Sequence, residues 1–475
     1  MMRREHDALG ERELPAAAYY GIHSLRAREN FAISGLPCHY GLIKAIAMVK
    51  KAAAQANAEL GLLDKAVGEA IAAAADEVIA GRYRDQFVVD ALQGGAGTSL
   101  HMNVNEVLAN RACERLGAAK GDYWRVHPLE QVNLGQSTND VYPTALRMAA
   151  IWQLRNLCDG CAGLQEQLQA KEQEFAAIIK VGRTQLQDAV PIMLGQEFGA
   201  YAQAVARDRW RLYKAEERLR QVNLGGTAVG TGLNADIRYT HLVNEKLRQL
   251  AGIGLARAED LIDATQNVDV FVEVSGLLKA LAVNLTKICN DLRLLSSGPR
   301  AGLGEIRLPA KQAGSSIMPG KVNPVIAEAV NQAAFHVMAS DLAVTLAAQA
   351  GQLELNAFLP LLAHHLLGSI DILTNAVGIL ADSCVRDITA RPERCQALLQ
   401  SSGLAVTALT PYIGYERAGE LARLADESGE SIAALVSAKG WLSAEAAAAI
   451  LQPQAMTRPG RVISRTGGEA ECRRL

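Results

Sequence analysis

The stretch from Pro143 to Ile178, PTALRMAAIWQLRNLCDGCAGLQEQLQAKEQEFAAI, holds no proline after its first residue. Its apolar residues Leu157, Cys161, Leu164, Leu168, Phe175 and Ile178 fall at spacings of four, three, four, seven and three. That periodicity predicts one amphipathic helix with a coiled-coil-like seam. Four further stretches are free of proline, at 192–223, 263–298, 325–359 and 361–391. Proline is expelled from helix interiors but tolerated in a first turn, so Pro143, Pro191 and Pro324 are expected as helix starts. Asp140 is the expected cap of the first helix, and Gly225-Gly226 the expected stop of the second. The fourth stretch, with Ala327, Val330, Ala333, Ala334, Val337 and Met338, is apolar nearly all round, as in a helix buried among others. Five helices of about 30–35 residues indicate a mainly α fold built on a long five-helix bundle. The expected domains are an N-terminal domain at 1–140, the central bundle at 141–392 and a small helical C-terminal domain at 393–475 that ends in an arginine-rich segment from Arg458.

Composition supports this reading. Apolar residues make up 49% of the 475 residues and aromatics only 5%, which favours helices over strands. A net charge of −2 gives no electrostatic reason to expect nucleic acid or a membrane as partner. The opening MMRREHDALGERELP is charged and lacks an apolar core, so no secretory signal is expected, and charged residues interrupt the aliphatic stretches. A cytoplasmic protein is the expectation. The eight cysteines are scattered, as in a reduced chain. Cys158-Asp-Gly-Cys161 lies inside the helical pattern without a second pair or nearby histidines, which argues against a zinc or redox site. The run from Gly225 to Gly232, GGTAVGTG, follows a helix rather than a strand and lacks a P-loop lysine, so it is expected to be a tight connection.

The chemistry is concentrated in four polar clusters. GSSIMPGKVNP, from Gly314 to Pro324, sets two serines, Lys321 and Asn323 between glycines and prolines. Glycine lets backbone N–H groups turn inward as a nest, and such a nest with a lysine favours an anion or a deprotonated serine. QGGAGTS (Gln93–Ser99), GQSTND (Gly135–Asp140) and GRTQLQDAVP (Gly182–Pro191) are dense in hydroxyls and amides. Singly they read as helix caps, and the last two as caps of the helices that follow. Together, neutral donors with one lysine suit a small dianion held in one pose.

These motifs resemble those of the fumarase/aspartase superfamily, from PAAAYYGIHSLRARENF (Pro15–Phe31) to the 390s. KICNDLRLLSSGPRAGL (Lys287–Leu303) and GQLELN (Gly351–Asn356) also fit, and QGGAGTS and GQSTND are similar to the aspartase spellings rather than those of class II fumarases. Fumarases usually carry a histidine where this chain has Gln185, a group suited to activating water. The resemblance implies a homotetramer with a twenty-helix core and sites shared by three subunits. It also implies elimination of ammonia from L-aspartate to give fumarate. Ser315 matches the catalytic base. Thr98, Ser137, Thr138 and Ser316 match donors to the carboxylate beside the acidic carbon, and Asn139, with Gln185 beside it, a contact to the amino group. Thr184, Lys321 and Asn323 match the anchor of the other carboxylate. Glu328 matches an acidic partner of the fumarase histidine, without a clear task opposite Gln185. His101 departs from the pattern, which prefers asparagine, and is expected to be a buried structural residue. No cofactor is implied, Lys321 reads as a counter-ion rather than a Schiff-base lysine, and no ligand cluster identifies a metal site. A fumarase and a catalytically silent structural member are the alternatives. Thr138 and Thr184 border opposite ends of the first long helix, a separation of roughly 50 Å at 1.5 Å per residue. If both touch one substrate they come from different subunits.

Overall fold

The computed structural model describes residues 1–460, so Cys472 and the arginine-rich end beyond Gly460 lie outside the described residues. The chain is mainly α. The N-terminal region holds a hairpin of β1 (Met2–Asp7) and β2 (Gly10–Pro15), followed by α1 (Ile22–Asn30), α2 (Tyr40–Glu59), α3 (Lys65–Ile79) and α4 (Thr98–Arg115). Then come α5 (Thr138–Glu174), a hairpin of β3 (Ile179–Thr184) and β4 (Gln187–Met193), α6 (Leu194–Leu219), α7 (Ile237–Ala251), α8 (Leu261–Gln266) and α9 (Asp269–Leu295). Last of the long elements are α10 (Val325–Gln349) and α11 (Leu359–Ser383), before α12 (Pro392–Ser402) and shorter helices.

The residues fall into two compact units, each gathered from separate segments. The first comprises 1–161, 207–286 and 330–377; the second comprises 162–206, 287–329 and the described residues from 378 on.

Within the first unit the five long helices touch in a closed circuit, which is the expected bundle. Arg155 of α5 reaches Glu216 of α6 at 2.8 Å, and Asn284 of α9 donates to Asp208 of α6 at 2.6 Å. Ser275 of α9 donates to Asp341 of α10 at 2.8 Å, and Ser340 of α10 meets His365 of α11 at 3.1 Å. Gln153 of α5 closes the circuit on Asp371 of α11 at 2.6 Å. Buried Leu157, Leu278, Leu281, Val337, Leu366 and Ile370 supply apolar area, at about 25 cal/mol per Å² removed from water. The helix α4 is buried on every side and its polar side chains secure the surrounding loops. Glu106, 1% exposed, accepts the N–H groups of Gly21, His23 and Ser24 and the Ser24 hydroxyl at the start of α1. Burial pushes its carboxyl up to about 7 despite these donors.

The second unit contains the β3–β4 hairpin and the C-terminal helices, which bury Val406, Leu409, Ile413, Leu421, Val436 and Ile450 together.

Several sequence expectations need correction. The helix α5 starts at Thr138, not Pro143, and runs 37 residues, with Pro143 inside it. Proline lacks the N–H that would bond the carbonyl of Asn139. The Asn223 side-chain amide takes that carbonyl instead, at 3.0 Å, which is why an interior proline is tolerated. Asp140 is thus within the first turn rather than ahead of the helix. Its carboxylate reaches back to the Ser137 N–H at 2.9 Å, as in a capping box, while the Ser137 hydroxyl accepts from Asn139 N–H at 3.2 Å. Pro191 lies in β4, so GRTQLQDAVP is a hairpin and not a helix cap; α6 begins at Leu194. That helix ends at Leu219, ahead of Gly225-Gly226, so the glycines are not its stop. The N–H groups of Gly225 and Thr227 bond the buried Asp140 instead, at 2.9 and 3.2 Å. A Cβ on Gly225 would lie 2.4 Å from Thr240, so this tight connection is packed too closely for a side chain. The other long helices have 26, 27, 25 and 25 residues, shorter than expected, because turns and loops use part of each proline-free stretch. The segment Leu359–Asp387 is long and apolar enough on average to cross a membrane, but Asp371 interrupts it as expected, and half of its most apolar window is buried in the fold.

Candidate active site

The predicted site residues fall into two sets, one in each compact unit. Three of the first set, Ser137, Thr138 and Asn139, are brought together by the start of α5. Thr138 and Asn139 stand in its first turn, where the helix dipole favours an anion, although the Asn139 N–H is already taken by the Ser137 hydroxyl. Thr98 is the first residue of α4, exposed, after Gly97 at φ 95°. A Cβ on Gly97 would lie 2.4 Å from the Tyr142 ring, so glycine is required on both counts. The amide nitrogen of Asn139 donates to the Ala228 carbonyl at 2.7 Å, which turns its oxygen free as an acceptor.

Behind these hydroxyls lies a buried polar group of which sequence reasoning expected only His101, as a buried residue, and missed Lys50. His101 is 1% exposed, and its Nδ1 is 2.7 Å from Thr138 Oγ1. Its Nε2 is 2.5 Å from the Lys50 ammonium, which also donates to Asn133 Oδ1 at 2.8 Å and Gln136 Oε1 at 2.9 Å. Lys50 is completely buried, and burial lowers its pKa while the Asp140 charge opposes that shift. Burial, with Lys50 beside it, holds His101 well below the usual histidine range. Burial likewise raises Asp140, against three backbone N–H bonds and Lys50. A signal for Lys50 was present. It falls on the stripe of Ile43, Ile46, Ala53 and Asn57, at helical spacing, whereas its neighbour Lys51 does not.

In the second unit, Ser315, Ser316, Lys321 and Asn323 share one loop. The Ser315 hydroxyl oxygen accepts backbone N–H bonds from Ile317 at 3.2 Å and Met318 at 2.8 Å. This is the nest expected from the sequence, aimed at the serine oxygen itself. The loop is closed by Gly314 N–H on the Lys321 carbonyl at 2.9 Å and by the Asn323 amide on the Gly314 carbonyl at 2.7 Å. A Cβ on Gly314 would lie 2.4 Å from that Lys321 carbonyl. Asn323 therefore spends one N–H on holding the loop. The Lys321 ammonium is exposed and has no ion-pair partner among the described residues.

Thr184 and Gln185 lie at the tip of the β3–β4 hairpin, both exposed. Gln185 and Leu186 form its two-residue loop with φ of 55° and 61°, the left-handed pair that matches strand twist. The hairpin is anchored by charge. Arg183 reaches the fully buried Glu305 at 2.9 Å, and Lys180 reaches Glu305 at 3.1 Å and Glu197 at 2.8 Å. Glu328 faces Arg293 at 3.9 Å, both partly exposed. Cys158 and Cys161 are free thiols that burial raises to about 11 and about 12, the opposite of an activated redox pair. Among the described residues no cluster of three or more His, Cys, Asp or Glu could hold a metal ion.

Known proteins align with nearly the whole chain. Residues 10–339 match the Lyase family and 406–458 the Fumarase C C-terminus family. The aspartate ammonia-lyase of a Bacillus species is 51% identical over 97% of this chain and 98% of its own length. That of Escherichia coli strain K12 is 47% identical over 99% of both. Among solved structures, fumarate lyase:delta crystallin from Brucella melitensis, bound to cobalt, superposes with a TM-score of 0.93. It is 51% identical, over 97% of this chain and all of that one. Recombinant class II fumarase from Schistosoma mansoni gives 0.91 at 34% identity, over 96% and 99% of the two chains. With both family matches and this chain-long identity, the protein belongs to the fumarase/aspartase superfamily.

Proposed function

We propose that this chain is a carbon–nitrogen lyase that converts L-aspartate reversibly to fumarate and ammonia. One observation carries the choice of reaction: identity of 47–52% over 96–99% of the chain with proteins named aspartate ammonia-lyase, against 34% with the Schistosoma fumarase. Removing the Cβ proton of aspartate places a second negative charge on the adjacent carboxylate, an enediolate-like dianion. Donors aimed at that carboxylate lower the barrier most. In this reading Thr98, Ser137, Thr138 and Ser316 are those donors, Ser315 takes the proton, and ammonia leaves from Cα. The two N–H bonds on the Ser315 oxygen support its role, since they favour the alkoxide that must form, by loss of the serine's own proton, before it can accept the Cβ proton. Asn139 receives the amino group on its free oxygen, with Gln185 beside it. Thr184, Lys321 and Asn323 anchor the other carboxylate, a task that suits a lysine without an ion pair among the described residues.

The assembly in this reading is a homotetramer with a twenty-helix core and shared sites. Two features support it. Thr138 opens a helix of 37 residues, about 55 Å long, and Thr184 follows its far end in the chain, beyond the span of a four-carbon substrate. The apolar helix α10 leaves Phe335, Leu342 and Leu346 half exposed or more, a stripe suited to another copy of the chain. The cytoplasm is the compartment, in keeping with seven free cysteines among the described residues.

The test is a parallel assay of fumarate absorbance with L-aspartate and with L-malate. Fumarate from aspartate alone is expected. Fumarate from malate at comparable efficiency, with none from aspartate, would overturn the reading.

A further inference from the structure

Lys50 and His101 are buried polar residues to which the reaction scheme assigns nothing, and both stand behind Thr138. The amides beside Lys50 have fixed orientations. Asn133 Nδ2 donates to the Gln136 carbonyl, and Gln136 Nε2 to the carbonyls of Val132 and Leu134, so both side-chain oxygens face the lysine. With His101 Nε2 these surround Nζ at 2.5, 2.8 and 2.9 Å, and with Nε2 bare they make three acceptors. An ammonium has three protons and meets them one for one. Its charge is answered by Asp140, itself held by the N–H groups of Ser137, Gly225 and Thr227.

A neutral imidazole carries one N–H. If Nε2 accepts from lysine, the proton is on Nδ1, 2.7 Å from Thr138 Oγ1, and that nitrogen donates to the threonine. The threonine's own hydrogen is then left for another acceptor. With the opposite tautomer Nδ1 would accept, and the threonine would spend its hydrogen inward.

We infer that Lys50 and His101 are positioning residues: they fix the imidazole tautomer, fill a lone pair of Thr138, and so aim its hydroxyl hydrogen at the substrate carboxylate. The inference rests on the reading in which Thr138 is a donor to that carboxylate. Because the charge on the carboxylate grows during proton removal, a correctly aimed donor is felt more in kcat than in KM.

A double-mutant cycle tests it, with thermal unfolding as a check on each variant. Thr138→Val is expected to lower kcat about 10–100-fold, the range of one hydrogen bond to a charged group. His101→Leu is expected to lower kcat by about tenfold or more with a smaller change in KM. The two together should cost little more than Thr138→Val alone, since the histidine acts through the hydroxyl. His101→Asn, which can offer an N–H near the same place, should recover part of the loss. Losses that multiply in the double variant overturn the inference while leaving the donor role of Thr138 intact. A harmless Thr138→Val removes the donor role itself and the inference with it. Should His101→Leu fail to fold, the tautomer is read directly from 15N shifts of histidine-labelled wild-type protein, assigned by the signal missing in His101→Asn. A protonated Nδ1 with bare Nε2 is expected; a protonated Nε2 overturns the inference.

Discussion

Replacing Ser315 by alanine should stop turnover while leaving substrate binding nearly intact. The Ser315 oxygen accepts two backbone N–H bonds, from Ile317 and Met318. Each is worth about 1 kcal/mol on a neutral hydroxyl and about 1.5–3 kcal/mol on a charged oxygen. The pair therefore favours the alkoxide, the form able to accept the Cβ proton, over the hydroxyl by roughly 1–4 kcal/mol. A positioned base contributes about 10²–10⁴ in rate. Ser315→Ala should accordingly lower kcat by about 10²–10⁴, or about 3–5 kcal/mol of barrier. KM should change by no more than about threefold, because the hydroxyl offers aspartate at most a neutral contact before reaction. Initial rates of fumarate formation across a range of aspartate concentrations give both constants, and circular dichroism checks the fold. A kcat within about tenfold of wild type would refute the assignment of the base.

Lys321→Ala should raise KM by tenfold or more, about the worth of one charged hydrogen bond, because its charge pairs with a carboxylate present in the ground state; an unchanged KM would remove it from the site. Thr184→Ala and Ser315→Ala chains, each inactive, should recover part of the activity when denatured and refolded together, since mixed tetramers contain some sites built of intact segments. No recovery despite proven subunit exchange would rule out shared sites. The carboxyl of Glu106, raised to about 7 from 4.5, binds its proton more tightly folded than unfolded. Its contribution to stability is therefore full below about pH 4.5 and is lost as pH rises through 7, up to about 3 kcal/mol. Urea unfolding at pH 5.5 and 8 should show a larger loss in wild type than in Glu106→Gln; equal losses would contradict the raised carboxyl.

The sequence was most legible where one physical signal acted alone. Proline exclusion and the seam through Leu157, Leu164 and Leu168 located the long helices, because both follow from local backbone and packing rules. It misled where a distant partner altered the local rule. Pro143 could be interior only because Asn223, remote in sequence, takes the orphaned Asn139 carbonyl. Gln185-Leu186 adopts a left-handed pair usually given to Asn-Gly, so the hairpin carried no turn signal. Gly225 looked like a helix stop, and its amide instead serves Asp140. The nest at Ser315 was readable because glycine, proline and serine lie within one short run. The burial of Lys50 was signalled by its helix stripe, but its contacts were not, because its three partners come from two other segments.

The most direct test of the central claim lets ammonia and water compete in one vessel. Purified protein is given fumarate and 15N-ammonium in water, and the products are identified by NMR. The account predicts L-aspartate carrying 15N at Cα and no malate above the protein-free control. Malate as the main product, with no labelled aspartate, would contradict it.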